Sequence, residues 1–491
     1  MIVMKFGGSS LESGDAIRRV VSIIKAQSDR NPVVVVSAMG KTTNHLLALF
    51  ESAARGHQYL AWKEIKELQE FHLEEASKVA RGETFDALEQ KLRKLFRELH
   101  CRMIEVSDEG KEATAALKDY VASFGERISS LVVTAALDCA GAPASHLDAR
   151  QVILTDDNFG QAAPLCWESY AKLRRAVPEA AAEGRIVVLG GFIGATVQGI
   201  TTTLGRGGSD LSASLVGAGI SADEIQIWTD VDGMLTCDPR VFAACFRLKS
   251  VDYKEAIALA QSGAKVLHPE TVMPAIRQRI PIVIRNSRRP NVEGTTITCS
   301  APASMNVVKS IASKEGLTLL AIHPINPTSN NQDKPYIEQI LRRNRVSYET
   351  ISQVDGTTYV AINNNERYED VQIELEGCVE VSMRRRIAVI TLVGQGIINE
   401  PGVGQRALAA LRQVDAQLVA ADNSCGYIAI AIPQAQLTEC VRLLHAEFFG
   451  RVDPAMFCEY RHEAIPAVYS DRKKPAEWRN VARPSWVFTR A

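Results

Sequence analysis

Over its first 300 residues the sequence alternates short β-branched apolar runs with amphipathic stretches, and this alternation restricts the fold more than any other feature. Each run is flanked by Gly, Pro or polar residues, as strands are. Runs that are apolar at nearly every position are typical of parallel strands buried on both faces. We therefore predict an α/β fold with a mainly parallel sheet, whose strands include Ile2–Phe6, Val33–Ser37, Ile186–Leu189, Ile225–Thr229 and Ile282–Ile284.

Other parts of the chain have different patterns. At roughly 150 residues per domain, 491 residues correspond to about three domains. Residues 60–120, approximately, have helical periodicity without a strand-like run, which predicts a helical insertion. After a linker near 301–304, a β-α-β-β-α-β rhythm occurs twice and favours two small ferredoxin-like units. Residues 450–491 contain six aromatic residues and four prolines and follow neither pattern.

Charge and hydropathy argue against several classes of protein. Lys and Arg total 56 and Asp and Glu total 57, so the formal net charge is −1. This balance argues against a dedicated nucleic-acid or anionic-membrane binder. No apolar run approaches the roughly 18 residues that a bilayer span needs, and the first residues lack the pattern of a secretory leader. We expect no nucleic-acid partner, no membrane and a cytoplasmic location.

The ten cysteines are scattered, and no two lie closer than eight residues. Zinc sites and dithiol oxidoreductases use shorter spacings such as Cys-x-x-Cys, which do not occur here. We interpret the cysteines as reduced, mostly buried thiols of a cytosolic protein. The alternative is a redox-sensitive thiol, for which the sequence singles out no candidate.

A glycine-rich turn, Lys5-Phe6-Gly7-Gly8-Ser9-Ser10, leads from the first strand into a helical pattern. Two glycines let the backbone approach a ligand closely and direct N–H groups at an anion. Lys5 would place an ammonium beside those donors. The alternative is an ordinary strand-to-helix turn.

Two further glycine turns have the same character. Gly205–Asp210 carries an arginine between glycines and leads into a helix start, which suits carboxylate or phosphate recognition. The alternative is a flexible loop with solvated charges. Gly190–Gly194 follows a buried strand, where open α/β sheets place ligands, although a tight strand exit explains it equally well.

Together with the motifs between them, these turns resemble the amino acid kinase family, specifically the aspartate kinases. The resemblance implies a three-layer sandwich and the ATP- and Mg²⁺-dependent phosphorylation of the L-aspartate β-carboxylate. The product would be 4-phospho-L-aspartate, the entry to lysine, methionine and threonine synthesis. The matching stretches occur in family order: Val3–Ser10, Val34–Met39, Ser123–Glu126, Thr202–Asp210, Ile227–Gly233, Thr236–Arg240 and Gly263–Pro269.

Phosphoryl transfer to a carboxylate brings two anions together, so its site must supply positive charge and N–H donors. By resemblance, Lys5 acts with the glycine backbone on the transferring phosphoryl group, and Asp210 orients Lys5. Mg²⁺ would be held mainly by ATP phosphates and water near Asp210, without a dedicated metal site. The attacking carboxylate is already ionised at neutral pH and needs no general base. The resemblance implies Lys5, Asp210 and Lys265 as catalytic residues and Lys5, Gly7, Gly8, Ser9, Thr229, Asp230, Arg240 and Lys265 as ATP-binding residues.

The resemblance also implies a binding site for aspartate. Arg206 would pair with a substrate carboxylate, and Glu126 would accept from the α-ammonium group. As an alternative, Glu126 is only a helix-start carboxylate. Lys41 and Leu235 depart from the residues that the family usually has, and Lys41 should raise the local positive potential. The implied aspartate-binding residues are Ser37, Thr43, Glu126, Arg206 and Ser209.

The second half resembles paired ACT domains, most clearly at Val393–Gly396 and Pro401–Gly404. The resemblance implies dimerisation or a larger homo-oligomer, and a lysine or threonine effector. We expect the terminal segment to pack across a subunit or onto the kinase domain. The expected divisions are a kinase domain at 1–300, a first ACT domain at 301–385, a second at 386–450 with its first strand near 307–314, and a tail at 451–491.

Two alternatives to an aspartate kinase stay open. One is an amino-acid-sensing protein with an inactive kinase domain, and the other is a related carboxylate kinase of a specialised pathway. Every charged residue implied for catalysis is present, which argues against the sensor. Glu126 and Arg206 favour aspartate over other carboxylates.

Overall fold

The structure is a computed structural model that describes residues 1–262, 269–302, 304–324, 334–354, 356–363, 369–375, 379–422 and 426–460. In the first 300 residues the strands are β1 (Ile2–Phe6), β2 (Pro32–Val36), β3 (Ala144–His146), β4 (Leu154–Thr155), β5 (Ile186–Gly190), β6 (Ile193–Thr196), β7 (Thr201–Thr203), β8 (Glu224–Thr229), β9 (Phe246–Leu248), β10 (Ser250–Asp252), β11 (Ile282–Asn286) and β12 (Thr295–Thr298). The helices there are α1 (Gly14–Lys25), α2 (Thr42–Ala54), α3 (Gln58–Ser77), α4 (Gly82–Glu109), α5 (Ala115–Ala122), α6 (Phe124–Cys139), α7 (Cys166–Ala180), α8 (Gly208–Ile220), α9 (Tyr253–Gln261) and α10 (Met273–Arg277).

An eight-stranded sheet forms the middle layer of this half, in the order β10-β12-β11-β8-β1-β2-β5-β3. The six strands from β11 to β3 in that order pair in parallel. Only β12 and β10, at one edge, run the other way. The prediction of a mainly parallel sheet is confirmed, and all five predicted strands belong to it.

Strand β1 shows why the sheet is covered on both faces. All five of its residues are buried, and successive side chains of a strand point to opposite faces. Ile2, Met4 and Phe6 join a core formed with α1, α2, α4 and α6. Val3 joins the other core, formed with α7 and α8. The chain therefore folds as a three-layer sandwich with β1 at its centre.

Helices α2 to α5 occupy residues 42–122, which include the stretch where we expected a helical insertion. Helix α4, 28 residues long, buries an apolar face at three- and four-residue spacing, as an amphipathic helix does. This face packs on the core that also contains Phe6 and Trp228, whose rings stack 5.9 Å apart. Its buried residues are Leu88, Leu92, Phe96, Leu99, Met103 and Val106.

The second half contains β13 (Ser310–Pro324), β14 (Tyr348–Val354), β15 (Thr357–Asn363), β16 (Val379–Val393), β17 (Gln417–Asp422), β18 (Tyr427–Pro433) and β19 (Phe457–Glu459). Its helices are α11 (Lys334–Arg343), α12 (Glu369–Leu375), α13 (Val403–Ala410) and α14 (Leu437–Phe449). Six of the strands form one antiparallel sheet in the order β14-β15-β13-β16-β18-β17.

This sheet corrects one expectation. We expected separate strands near 307–314 and at Leu317–His323, but both belong to the 15-residue strand β13. The register against β16 shifts between Lys314 and Leu317. Gly316, at a φ of 77°, lies within that irregularity. A bulge therefore joins the two expected strands into one, because glycine adopts this conformation without a steric penalty.

After α14 the chain returns to the first half. Strand β19 pairs antiparallel with β9, and Met456 and Phe457 are buried. Lys249 donates from its backbone N–H to the Met456 carbonyl at 2.8 Å. Residues 451–460 of the segment at 451–491 therefore pack on the first half of the chain, whereas the rest of that segment lies outside the described residues.

A buried ion pair also joins the two halves. Lys309, just before β13, lies 2.9 Å from Glu255 of α9, and both side chains are at most 4 % exposed. The other oxygen of Glu255 accepts from the Gln395 N–H at 2.8 Å. Glu255 also completes the capping box of α9 with Asp252. One carboxylate therefore links α9 to two segments of the second half.

We expect Lys309→Met to lower the free energy of unfolding by about 3–5 kcal/mol, because it leaves a buried carboxylate without its cation. The double variant Lys309→Met/Glu255→Gln should be more stable than Lys309→Met, since it removes the unpaired charge. Denaturant unfolding of both variants measures this difference. Equal stability of Lys309→Met and the unchanged protein would contradict the assigned role of the pair.

Candidate active site

The first and second glycine turns meet at the carboxyl ends of β1, β2 and β5, where open α/β sheets bind ligands. They surround a cavity of about 340 Å³. Residues from β1, from the segment between β2 and α2, from α6 and from the start of α8 line it. The lining residues are Lys5, Gly8, Ser37, Ala38, Gly40, Lys41, Thr43, Asn44, Glu126, Phe192, Gly205, Gly207, Gly208, Ser209 and Asp210.

Lys5 reaches this cavity because of its position in β1. The alternation of the strand puts Lys5 on the same face as Val3, which is the face covered by α8. Its ammonium lies 2.6 Å from the Oδ1 atom of Asp210, in the first turn of α8. The side chains are 11 % and 15 % exposed. The pair holds a positive charge at the cavity wall and fixes its direction.

Glycine is required at position 8 by a close approach of two backbone segments. The Gly8 carbonyl accepts from the Gly40 N–H at 3.0 Å. A β-carbon on Gly8 would lie 2.8 Å from the Gly40 carbonyl oxygen and 3.0 Å from that of Ala38. Both contacts are with backbone atoms, which cannot rotate away.

We therefore expect Gly8→Ala to push the first turn away from the segment between β2 and α2, and to lower kcat/KM by about 10²-fold because the site is misplaced. Gly56→Ala is the control, since no atom lies within 4 Å of a β-carbon there, although its φ of 84° adds backbone strain. Steady-state kinetics and thermal unfolding of both variants separate lost activity from lost stability. Full activity of Gly8→Ala would contradict the close approach.

The second turn sets the start of α8. Gly205 and Gly207 both have a φ of 72°, which other residues rarely adopt. Their carbonyls accept the first amides of the helix, including that of Asp210 at 2.9 Å. The first residues of α8, Gly208 to Asp210, line the cavity, so the positive end of the helix dipole favours an anion there.

The third glycine turn gives room to two site residues. A β-carbon on Gly190 would lie 3.0 Å from the Glu126 β-carbon, and one on Gly191 would lie 2.8 Å from that of Ser209. Ser209 in turn accepts a hydrogen bond from the Ser37 hydroxyl at 2.9 Å. This turn therefore packs against Glu126 and Ser209 of the cavity lining. It also contributes Phe192 to that lining.

Glu126 is the most unusual group of the cavity. The residue is 3 % exposed, and its Oε1 atom accepts from the Ala38 N–H at 3.0 Å. Its Oε2 atom is buried and has no hydrogen-bond partner among the described residues. Burial raises the pKa of Glu126 to about 8, and the Ala38 N–H offsets this only in part. An unpartnered buried carboxylate at a cavity wall is suited to bind a cationic group.

The structure does not bring every expected residue to the cavity lining. Arg206 is exposed on the second turn, and no described residue forms an ion pair with it. Thr229 and Asp230 lie at the end of β8, where the Thr229 hydroxyl donates to Asp230 at 3.2 Å. Arg240 is 73 % exposed and pairs with Asp238 at 2.6 Å.

Three further expected residues complete this comparison. Gly7 is not part of the cavity lining, and it donates its N–H to the Trp228 carbonyl at 3.2 Å. Ser9 lies in a short 3-10 turn at Gly8–Ser10. Lys265 lies outside the described residues. The cavity lining thus unites Lys5, Gly8, Ser37, Thr43, Glu126, Ser209 and Asp210.

Four residues at or near the site were not among the expected site residues, although Lys41 was expected to raise the positive potential there. Lys41 and Asn44 line the cavity, and Phe192 does so at a φ of 65°, which is strained for a side chain of its size. Buried Asp119 of α5 accepts from the Thr203 N–H at 2.7 Å and its hydroxyl at 2.8 Å. It thereby fixes the strand that precedes the second turn. Only Lys41 carried a sequence signal, as a departure from the family.

Among the described residues, no three His, Cys, Asp or Glu side chains are grouped as a metal site requires. Within the same ranges, no helix combines the length and the apolar character needed to cross a bilayer.

Comparison with known proteins agrees with this geometry. The model of the amino acid kinase family matches residues 1–286. Aspartokinase 2 of Arabidopsis thaliana, a chloroplastic protein, is 31% identical over 469 residues, which cover 92% of this chain and 85% of that protein. The lysine-sensitive aspartokinase 3 of Escherichia coli is 29% identical over 463 residues, covering 91% and 99%.

Two solved structures extend the likeness through both halves. E. coli aspartokinase III in complex with aspartate and ADP has a TM-score of 0.76 at 26% identity, covering 91% of this chain and 100% of that one. The same enzyme in complex with lysine and aspartate has a TM-score of 0.77 at 27% identity, covering 91% and 99%. The family model spans more than half of the 491 residues, and the two aspartokinases match 92% and 91% of the chain. The chain therefore belongs to the amino acid kinase family and is one of its aspartate kinases.

Proposed function

We propose that the chain transfers the γ-phosphoryl group of ATP to the β-carboxylate of L-aspartate, producing 4-phospho-L-aspartate and ADP. This reaction would open the pathway to lysine, methionine and threonine. The observation that carries the proposal is the cavity itself. Glu126, a buried carboxylate without a partner for one oxygen, lines the same cavity as the Lys5–Asp210 ion pair. An α-amino acid with a second carboxylate is complementary to these opposite charges.

For aspartate, we assign the α-ammonium group to Glu126 and the α-carboxylate to Arg206. Ser37, Thr43 and Ser209 would orient the substrate. Arg206 is exposed and lies between two glycines of high backbone freedom, so its guanidinium is able to turn toward the cavity when a carboxylate enters. Lys41, which also lines the cavity, adds positive potential.

For ATP, we assign the phosphates to Lys5, Gly7, Gly8, Ser9 and Lys265, and the rest of the nucleotide to Thr229, Asp230 and Arg240. The N-terminus of α8 adds a favourable potential for the charge that develops on the transferring group. Mg²⁺ fits this site through the phosphates rather than through a protein cage, since Asp210 is the only carboxylate besides Glu126 in the described lining. The metal would neutralise phosphate charge, while Lys5 neutralises it from the protein side.

The direct test is an ATP- and Mg²⁺-dependent hydroxamate assay with aspartate, glutamate and acetylglutamate. We expect hydroxamate with aspartate and little with the other two. Arg206→Ala should raise the KM for aspartate with less effect on the KM for ATP. Turnover only of acetylglutamate would show a different carboxylate kinase, and no turnover with any of the three would overturn the kinase assignment.

We further propose that residues 301–385 and 386–450 are ACT domains that bind an amino acid effector and form a homodimer or a larger homo-oligomer. Support comes from the shared six-stranded sheet and from the lysine complex of the E. coli enzyme. Titration with lysine and with threonine tests the effector, and light scattering tests the assembly. No change in rate at millimolar levels of either amino acid would exclude feedback by these two.

The location and the terminal segment complete the proposal. We place the enzyme in the cytoplasm, a location supported by the scattered cysteines, of which no two lie closer than eight residues. The packing that we expected for the segment 451–491 stays a proposal, since residues 461–491 lie outside the described residues. Deletion of residues 466–491 should then lower thermal stability, change the oligomer or reduce activity.

A further inference from the structure

The residue that follows β11 contacts two parts of the chain that we assign to ATP. Ser287 donates its N–H to the Thr229 carbonyl at 2.9 Å, and its hydroxyl donates to the same oxygen at 3.1 Å. The Ser287 hydroxyl oxygen also lies 2.7 Å from that of Ser10, at the end of the first glycine turn. One side chain therefore touches both the end of β8 and the first glycine turn.

The direction of each hydrogen bond in this contact follows from the number of hydrogens. A serine hydroxyl carries a single hydrogen. Ser287 gives its hydrogen to the Thr229 carbonyl, so the Ser10 hydroxyl is the donor between the two serines. Both residues are buried, at 2 % and 3 % exposure, which shields the two bonds from competing water. A chain of hydrogen bonds thus runs from Ser10 through Ser287 to Thr229.

The neighbouring residue, Asn286, fixes the continuation of the same segment. Its side-chain amide donates to Asp232 at 2.7 Å and to the Asp230 carbonyl at 3.4 Å. Arg289 donates to the other oxygen of Asp232 at 2.6 Å. Asn286 and Asp232 are both buried. The segment from Thr229 to Asp232 is therefore held from the end of β11, and Ser287 connects the first glycine turn to the same support.

The first glycine turn has a separate attachment on the side of the proposed aspartate site. There the Gly8 carbonyl accepts from the N–H of Gly40 at 3.0 Å. Gly40 lies in the segment between β2 and α2, which also contains Ser37. Neither Ser10 nor Ser287 takes part in this bond. A change in the serine pair should therefore alter the nucleotide site more than the aspartate site.

We propose that Ser287 is a positioning residue for ATP, which acts through Ser10 and Thr229. The inference rests on the proposed function, because that function assigns the first glycine turn to the phosphates and the end of β8 to the rest of the nucleotide. One ATP molecule has to reach both segments. Ser287 keeps their separation fixed, and a change in that separation weakens nucleotide binding because the binding groups are misplaced.

Ser287→Ala removes the hydroxyl group and leaves the backbone bond to Thr229 in place. We expect the KM for ATP and the Kd for ADP to rise by about three- to tenfold, the usual contribution of a hydrogen bond. The KM for aspartate should change far less. Ser10→Ala should have the same effect or a smaller one, since it leaves the bond from Ser287 to Thr229 intact. Steady-state kinetics and calorimetric titration with ADP measure these changes.

A double-mutant cycle tests the chain of hydrogen bonds itself. Ser10→Ala and Ser287→Ala both break the bond between the two serines. The rise in the KM for ATP in the double variant should therefore be smaller than the product of the two single effects. Single effects that multiply fully would show that the serines act independently, and would overturn the proposal.

Ser169→Ala is the matched control for the loss of a buried serine hydroxyl. Ser169 is buried, and its hydroxyl accepts from the Leu154 N–H at 2.9 Å and donates to the Leu154 carbonyl at 3.2 Å. It belongs neither to the cavity lining nor to a segment that we assign to ATP. This variant should lower thermal stability and leave the KM for ATP unchanged.

Two results for Ser287→Ala would contradict its role: an unchanged KM for ATP, or equal increases in the KM for ATP and for aspartate. Titration with ADP needs no turnover, so its result is distinguishable from a failure of the proposed function. A chain that binds ADP, with an increased Kd in Ser287→Ala, supports the inference even if aspartate is not the acceptor. A chain that does not bind ADP would overturn both.

Discussion

Replacement of Lys5 by Ala should lower kcat by about 10²-fold or more, because it removes the charge that compensates the transferring phosphoryl group in the transition state. The Lys5 ammonium is nearly buried, lies 2.6 Å from Asp210, and faces the same cavity as the start of α8. Its charge is therefore less screened by water than a surface charge is. Steady-state kinetics with ATP and aspartate, together with thermal unfolding, measure the effect.

Two matched variants separate the position of this charge from its presence. Asp210→Asn leaves Lys5 in place but removes the partner that directs it, and it should also lower kcat by about 10²-fold. Lys41→Ala removes a positive charge from the rim of the same cavity and should mainly alter the KM for aspartate. An equal loss of kcat in Lys41→Ala and Lys5→Ala would show that only the overall potential matters, against our assignment.

Replacement of Glu126 by Gln should raise the KM for aspartate by about 10- to 100-fold, the usual cost of losing a hydrogen bond to a charged group. The variant retains an acceptor for the Ala38 N–H and removes only the negative charge. The KM for ATP should change far less. Glu98→Gln is the control, since Glu98 pairs with Arg127 and does not belong to the cavity lining.

The pKa of Glu126 gives the same prediction a pH dependence. With its pKa raised to about 8 in the ligand-free protein, this carboxyl is mostly protonated at neutral pH, and an ammonium group binds only to its charged form. The KM for aspartate should fall by about tenfold per pH unit as the pH rises toward that pKa, and then level off. This dependence should be absent in Glu126→Gln.

The stability of the folded protein should decrease over the same pH range in which the affinity for aspartate increases. A carboxyl whose pKa rises from 4.5 to about 8 on folding holds its proton longer in the folded state than in the unfolded one. The free energy of unfolding of the ligand-free protein should therefore fall as the pH rises through this window. Unfolding of Glu126→Gln should lack that component, and identical pH profiles of the two proteins would contradict the raised pKa.

The sequence predicted those features that depend on local pattern. The β-branched runs identified five strands of the central sheet, because strands buried on both faces are apolar at nearly every position. Lys5, within β1, and Glu126, in the first turn of α6, were implied by motifs of the family. The glycine turns indicated the position of the site, because glycine is needed where segments approach closely. A β-carbon on Gly8 or Gly191 would lie 2.8 Å from another atom.

The features that the sequence did not predict depend on contacts between distant segments. Asp119 fixes Thr203, 84 residues away, and no local pattern indicates such a partner. Lys309 and Glu255 meet across the two halves for the same reason. The continuous strand β13 was missed because Lys314, Glu315 and Gly316 have the composition of a turn, while pairing with β16 on both sides keeps them within the sheet.

The central claim is that this cavity directs phosphorylation to the β-carboxylate of aspartate. Borohydride reduction of the acyl phosphate, followed by identification of the amino acid alcohol, tests it most directly, since the product records which carboxylate was phosphorylated. With Glu126 holding the α-ammonium group and Arg206 the α-carboxylate, the account predicts homoserine. Its isomer 3-amino-4-hydroxybutanoate, formed from the α-acyl phosphate, or the absence of any reduced product would contradict the account.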